Sequence, residues 1–358
     1  MTRAATDTAR RLDDGALLPT GELDSTVLVE QMLAVNETID LSTLGREHRG
    51  SARADLQVAE PNAAPGLTIR DMGFVYPDDF DPRWNPRVPE FAMVANAVSL
   101  LMPHAEPYVV SSSRTALAQL DEDLLDPTNL ASRTRAYIRQ EAQHHAEHRK
   151  FNNVVARRYR TKLLERMMAA TFRFLKGRSS SFGIAFAAGF ETVAFVVARW
   201  VDARMHTLLP EIGKLGVDGL PSGEANVAAD LFVWHLAEEA EHRSIAYEVH
   251  QRTGGTQLAY TLAMIVSFVI LGVFTSLGIL TMLIRDRRIL NPVAWFRLIG
   301  WTLSFLFNAV PLMAVTCLSG HEPADLLDPP NLMAWLRNHD GILSTRYRKD
   351  ALKSGEIG

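Results

Sequence analysis

Hydrophobic and polar positions divide the chain into four stretches with different patterns. Residues 1–85 carry few apolar clusters and many Asp, Thr, Pro and Gly, a composition that predicts an arm or linker with one short helix near 26–35. Within it, Pro77, Pro82 and Pro86 interrupt the backbone bonding of residues 76–86. That segment is expected to be irregular and to pack its aromatics on whatever follows.

Residues 86–256 read as a helical bundle. The pattern predicts a helix over 91–102, then one beginning beside Pro103 and running to about 124, with Glu106 in its first turn because proline is tolerated there. Asp126-Pro127-Thr128 closes it. Further helices are expected over 132–159, 184–205 and 224–252, the last reached through a Gly- and Pro-containing connection at 210–223 and stopped at Gly254-Gly255. Between the first two of these, residues 157–178 place eight basic side chains and one acid among Leu163, Leu164, Met167, Met168, Phe172 and Leu175. This is amphipathic spacing, suited to a solvated helix face first and to an anionic membrane surface second.

The third stretch, 257–320, changes abruptly. Residues 258–284 hold no charge at all, and 293–320 hold only Arg297. A helix of 27 residues is about 40 Å long, more than the roughly 30 Å of a bilayer core. Either run is long enough to span. The Arg285-Asp286-Arg287-Arg288 turn between them would be held in the cytoplasm by the positive-inside tendency, which would put the bundle outside. The favoured expectation is therefore an apolar helical pair embedded from the cytoplasmic side, or packed as a lid. Residues 321–358, with Pro323, Pro329, Pro330 and Trp335, read as a short surface tail.

Composition adds little beyond size. At 358 residues and 47% hydrophobic, the chain can bury one large core with an accessory segment, and its net charge of −4 selects no partner. Nucleic acid is not expected. A lone cysteine, Cys317, excludes an intrachain disulfide and suits a reducing compartment. The first residues lack the apolar core of a secretory signal, so the expected location is cytoplasmic, at the inner face of the membrane.

Chemistry is concentrated in two windows, 141–148 and 235–242. Five of the eleven histidines fall within them, and each contains a Glu followed three residues later by a His: Glu141 with His144, and Glu239 with His242. On a helix these pairs share a face, as does His235 one turn before Glu239. Such a face turned into a core is costly unless something matches its charge. Bundle carboxylate-metal proteins match it with two metal ions held by two Glu-x-x-His pairs and a lone Glu from each of two further helices.

Glu106 and Glu191 supply the lone acids in the required order. Glu191 is the only acid between Arg166 and Arg199, in an apolar segment. The candidate metal ligands are thus Glu106, Glu141, His144, Glu191, His235, Glu239 and His242, with salt-bridged or dipole-placed glutamates as the plain alternative. His145 and His148 share the first face loosely, and one of them is a candidate hydrogen-bond partner of a ligand, while Glu238 sits at the edge of the second face; none of the three is counted among the ligands. Arg243 is a candidate partner for a ligand carboxylate. Tyr108, Tyr137 and Tyr247 lie near the motifs, where core packing is the simpler role and a proton or electron relay the sharper one.

Residues 138–152 and 238–249, which contain the two motifs, resemble the bacterial family of predicted metal-dependent hydrolases over about 88–340. The ligand order also resembles that of the p-aminobenzoate N-oxygenases, ferritin-like di-iron enzymes with seven ligands, the extra one a His four residues before the last Glu. That resemblance implies an all-α, ferritin-like bundle whose seven ligands fall on the seven residues above, two iron ions (Fe/Fe, or Mn/Fe), dioxygen, an electron donor and an oxygenase or oxidase activity. The long apolar runs point to an apolar substrate such as an acyl chain. Metal-dependent hydrolysis of an ester or amide is the first rival, and a non-enzymatic iron-binding membrane protein the second. A homo-oligomer is left open.

Overall fold

Local sequence starts the helices. Ser179, Asn226 and Thr256 each accept the backbone N–H three residues on, and Asn291 accepts that of Val293, which satisfies donors that a first turn leaves free. The computed structural model describes residues 67–120, 129–209 and 226–339. The arm over 1–66, the short helix at 26–35, the Asp126-Pro127-Thr128 stop, the 210–223 connection and the tail beyond 339 lie outside the described residues.

Among the described residues the chain is helical without strands. In order come α1 (Pro89–Leu117), α2 (Leu130–Arg158), α3 (Lys162–Lys176), α4 (Ser180–Asp202), α5 (Met205–Leu208), α6 (Val227–His242), α7 (Ile245–Arg252), α8 (Gln257–Arg285), α9 (Pro292–Thr316) and α10 (Pro330–His339), with a 3₁₀ turn at Pro323–Asp325. All belong to one compact unit. The packing is layered: α2 and α6 form one layer, α1 and α4 the middle one, and α8 and α9 cover the far side of α1 and α4. The all-α bundle expected from the pattern is what forms.

Three expectations are corrected. Residues 91–102 and the helix after Pro103 are one continuous helix, α1, with Pro103 and Pro107 inside it. Pro103 has no N–H for the carbonyl of Ser99 one turn back; Asn152 Nδ2, from α2, donates to that carbonyl at 2.8 Å instead. The cost of the interrupted ladder is offset by packing, and Glu106 sits mid-helix rather than in a first turn. Second, the helix expected over 224–252 breaks at Arg243-Ser244, directly after His242. There Arg243 bonds the carbonyl of Ala240 and Asp328 and lies over the ring of Phe195. Third, residues 330–339 are not a surface tail but α10, which buries Leu332, Trp335 and Leu336 and packs on α6. Asp202 anchors it by accepting the backbone N–H of Leu332 at 2.8 Å.

The irregular segment before α1 forms as its prolines dictate. Trp84 is buried against Phe232, with its indole N–H on Asn96, and Asn96 returns a bond to the carbonyl of Pro82.

One glycine permits the close approach of two layers, and a second serves as its control. A Cβ on Gly189 of α4 would stand 2.5 Å from the Cα of Met264 in α8, whereas one on Gly272 would meet nothing within 4 Å. Gly189→Ala should therefore lower stability by about 1–3 kcal/mol through overpacking against backbone. Gly272→Ala should be neutral or raise it by up to about 1 kcal/mol, the ordinary helix effect. Thermal melts of the two variants check this; equal behaviour would contradict the close α4–α8 approach.

Candidate metal centre

Four helices deliver the acids and imidazoles. Glu106 comes from α1, Glu141 and His144 from α2, Glu191 from α4, and His235, Glu239 and His242 from α6. All seven are buried. On α2 and α6 the three- and four-residue spacings turn the motif residues to one side, towards α1 and α4.

The ligand atoms of Glu141, His144, Glu239 and His242 lie within 4.8 Å of one another, and so do those of Glu106, His144 and His235. His144 belongs to both groups. Glu191 is outside them but joined to the first, because its Oε2 is 2.9 Å from His242 Nδ1. His144 Nδ1 and His242 Nε2 each stand 3.4 Å from Glu141 Oε1. His235 Nε2 is 2.8 Å from Glu239 Oε1 and 3.8 Å from Glu106 Oε1.

Burial governs the electrostatics. Desolvation, and then the Glu141 carboxylate, push the Glu106 carboxyl well above the ordinary carboxylate range. Glu239 is also pushed well above that range, by desolvation and then by Glu191, and Glu141 likewise rises. For His144, burial opposes protonation, but the carboxylates of Glu141 and Glu238 outweigh it and raise the imidazole to about 10. His235 goes the other way, well below its usual value, through burial and the neighbouring His144 and His148.

The cluster fits a metal by its own chemistry. Both oxygens of Glu106 and of Glu141, Glu239 Oε2, His144 Nδ1 and His242 Nε2 are buried with no hydrogen-bond partner among the described residues. Buried polar atoms ordinarily have partners, and a set of unpartnered oxygens and nitrogens aimed at a common centre is what cations would coordinate.

The residues around the cluster take up roles that the sequence only partly marks. Glu238 belongs to neither group: it accepts from His144 Nε2 at 3.0 Å and leaves Nδ1 facing the cluster. It is held in turn by Arg70, buried, at 3.0 Å. Arg70 belongs to the stretch expected to be an arm, and nothing local in the sequence marks it. Arg243 does not reach a ligand carboxylate but pairs with Asp328. Of the three tyrosines, only Tyr137 touches the centre, donating to Glu191 Oε1 at 2.7 Å; Tyr108 bonds the carbonyl of Leu175 and Tyr247 bonds Gln257. Tyr137 stands four residues before Glu141, one helical turn, and that spacing was the available signal. His148 bonds both His235 and Ser99, while half-buried His145 belongs to neither group.

Fold and site together define a class, the all-α bundles with a buried Glu/His cluster able to hold metal. The chain belongs to the family described as predicted metal-dependent hydrolases, whose model matches residues 68–326. The match takes in all seven residues, both apolar helices and, at its start, Arg70. No curated protein and no solved structure matches the chain.

Two outcomes follow from this geometry. Glu238→Gln keeps the shape but removes the carboxylate that orients His144, and should weaken metal affinity roughly 10–100-fold, as read by titration of the metal-free protein. Between about pH 7 and 9.5, the His144 imidazole, raised to about 10 in the metal-free folded state, holds protons that the unfolded chain has released, and the upward shifts of Glu106 and Glu239 act in the same direction. The folded state binding more protons, stability should fall as pH rises, by about 1.4 kcal/mol per pH unit per extra proton. Bound metal displaces those protons, so melts of the loaded protein should be flatter over the same range; parallel curves would contradict the assignment.

Proposed function

We propose that the cluster holds two iron ions, or manganese with iron, and that the protein is an oxygenase or oxidase acting on an apolar small molecule such as an acyl chain. One observation carries the reading: four buried carboxylates and three buried imidazoles converge from four helices, with most of their facing atoms unpartnered. Four carboxylates match the charge of two divalent ions. Structural zinc closes four positions with Cys and His, and catalytic zinc commonly keeps three protein ligands, so this oxygen-rich set suits iron or manganese better. The ligand order resembles that of the ferritin-like di-iron oxygenases.

Iron bound there would supply dioxygen activation, with electrons from an external donor. The chain's own residues set the conditions. Glu238 and Arg70 orient His144. Tyr137 keeps its proton, because burial and the adjacent Glu191 raise its pKa far above the ordinary phenol value, and it presents that proton to Glu191 Oε1. Phe186, Val193 and Leu100 belong to the buried apolar core of the bundle, which excludes water from it.

A second reading, metal-dependent hydrolysis of an ester or amide, is favoured by the family description. Elemental analysis of the purified protein, dioxygen uptake with a chemical reductant and long-chain fatty acid, and hydrolysis of acyl esters separate the two. The oxidative reading expects about two iron ions per chain and substrate-dependent uptake that Tyr137→Phe slows without releasing metal. Zinc with ester hydrolysis and no uptake would replace it by the hydrolase. Iron with neither activity would overturn both and leave a binding protein.

A further inference from the structure

We infer that the outer faces of α8 and α9 seat the protein in one leaflet of an anionic bilayer without crossing it. Both helices are long and apolar enough to span, yet only 28% and 17% of their most apolar windows are buried, against 78% for α4 inside the bundle. The exposed positions form continuous stripes. On α8 they include Leu262, Val269 and Leu280, and on α9 Phe296, Leu303 and Phe307. Neither stripe contains a charge. Soluble monomers rarely expose apolar patches of more than a few hundred Å².

A spanning arrangement conflicts with how the pair is tied down. At one end, Asp286 of the α8–α9 turn bonds Arg158 and Tyr159, and Arg288 and Arg297 both bond the buried Glu90 of α1. At the other end, Gln257 bonds Tyr247 and the carbonyl of Thr316. Both ends are thus fastened to polar groups of the bundle, which runs alongside. Standing α8 upright in a bilayer would carry α2 into hydrocarbon, with exposed Arg135, Arg139, Arg149 and Lys150, and charge at that depth is strongly disfavoured. Lying flat, the pair puts its stripes in lipid and leaves α2 in water on the opposite side.

Charge at the rim selects the lipid. Helix α3 packs against α8 and exposes Lys162, Arg166, Arg173 and Lys176 beside Leu163 and Phe174. Arg285 and Arg287 are exposed at the α8–α9 turn. Cations flanking an apolar face match an anionic headgroup layer.

The test is flotation of the full chain with vesicles of phosphatidylcholine, alone or mixed with phosphatidylglycerol. Flotation is expected with the mixed vesicles. Val269→Asp, Phe296→Asp and Phe307→Asp combined should cut the bound fraction at least tenfold while helicity and metal content stay unchanged. Lys162→Glu, Arg166→Glu and Arg173→Glu combined should remove the preference for phosphatidylglycerol. In a Cys317→Ser background, Arg287→Cys and Ser319→Cys report the two ends of the pair, and an impermeant maleimide added outside should label both. Protection of Arg287→Cys alone would mean a spanning pair and overturn the inference. So would a full chain that stays free of vesicles, whether monomeric or as a dimer that the apolar-face substitutions split. Metal content, read on every variant, keeps the outcome separate from that of the metal centre.

Discussion

The structure turns on a charge that the bundle must neutralise. Glu106, Glu141, Glu191 and Glu239 are all buried, and taking even one unmatched ion out of water costs several kcal/mol, a sizeable share of the roughly 5–15 kcal/mol by which a folded domain is stable. The surrounding design answers this. Three imidazoles stand among the carboxylates, Tyr137 donates to Glu191, and Glu238 with Arg70 braces His144. Without metal, burial and the neighbouring carboxylates push Glu106 and Glu239 upward and raise His144 to about 10, so the cluster binds protons more tightly than the separate groups would. With metal, cations take the place of those protons.

What the sequence discloses follows the range of the interactions. Glu141 with His144 and Glu239 with His242 are local patterns, so helical spacing alone puts each pair on one face. Glu191 is legible because a lone acid in an apolar helix needs a partner. Glu106 is legible by order but not by conformation: Pro103 and Pro107 look like a boundary, and only Asn152, distant in sequence, makes a continuous helix tolerable by bonding the carbonyl of Ser99. Arg70 is illegible for the same reason, since its partners Glu238 and Glu241 lie about 170 positions on. The break after His242 falls where Arg243 reaches Asp328 and Phe195, and α10 is anchored by Asp202; neither contact leaves a local mark.

The layered packing links site and surroundings. The ligand helices α2 and α6 pack on α1 and α4, and α8 and α9 cover the opposite side of that middle layer. Gly189 lets α4 and α8 come close enough for contact with the backbone of Met264. The metal centre is therefore separated from the apolar outer stripes by one layer of helices, in which α1 and α4 each contribute a carboxylate. The same α1 and α4 that hold Glu106 and Glu191 carry the helices whose outer faces are apolar and exposed.

The central claim is that acids and imidazoles from four helices grip a pair of metals. X-ray absorption at the metal edge of the loaded full-length protein tests it most directly. The account predicts two ions per chain, nearest-neighbour scattering from oxygen and nitrogen only, and a metal–metal vector of roughly 3.5–4 Å that is lost in Glu141→Ala. A single isolated ion, sulfur in the coordination sphere, or an unchanged spectrum in that variant would contradict it.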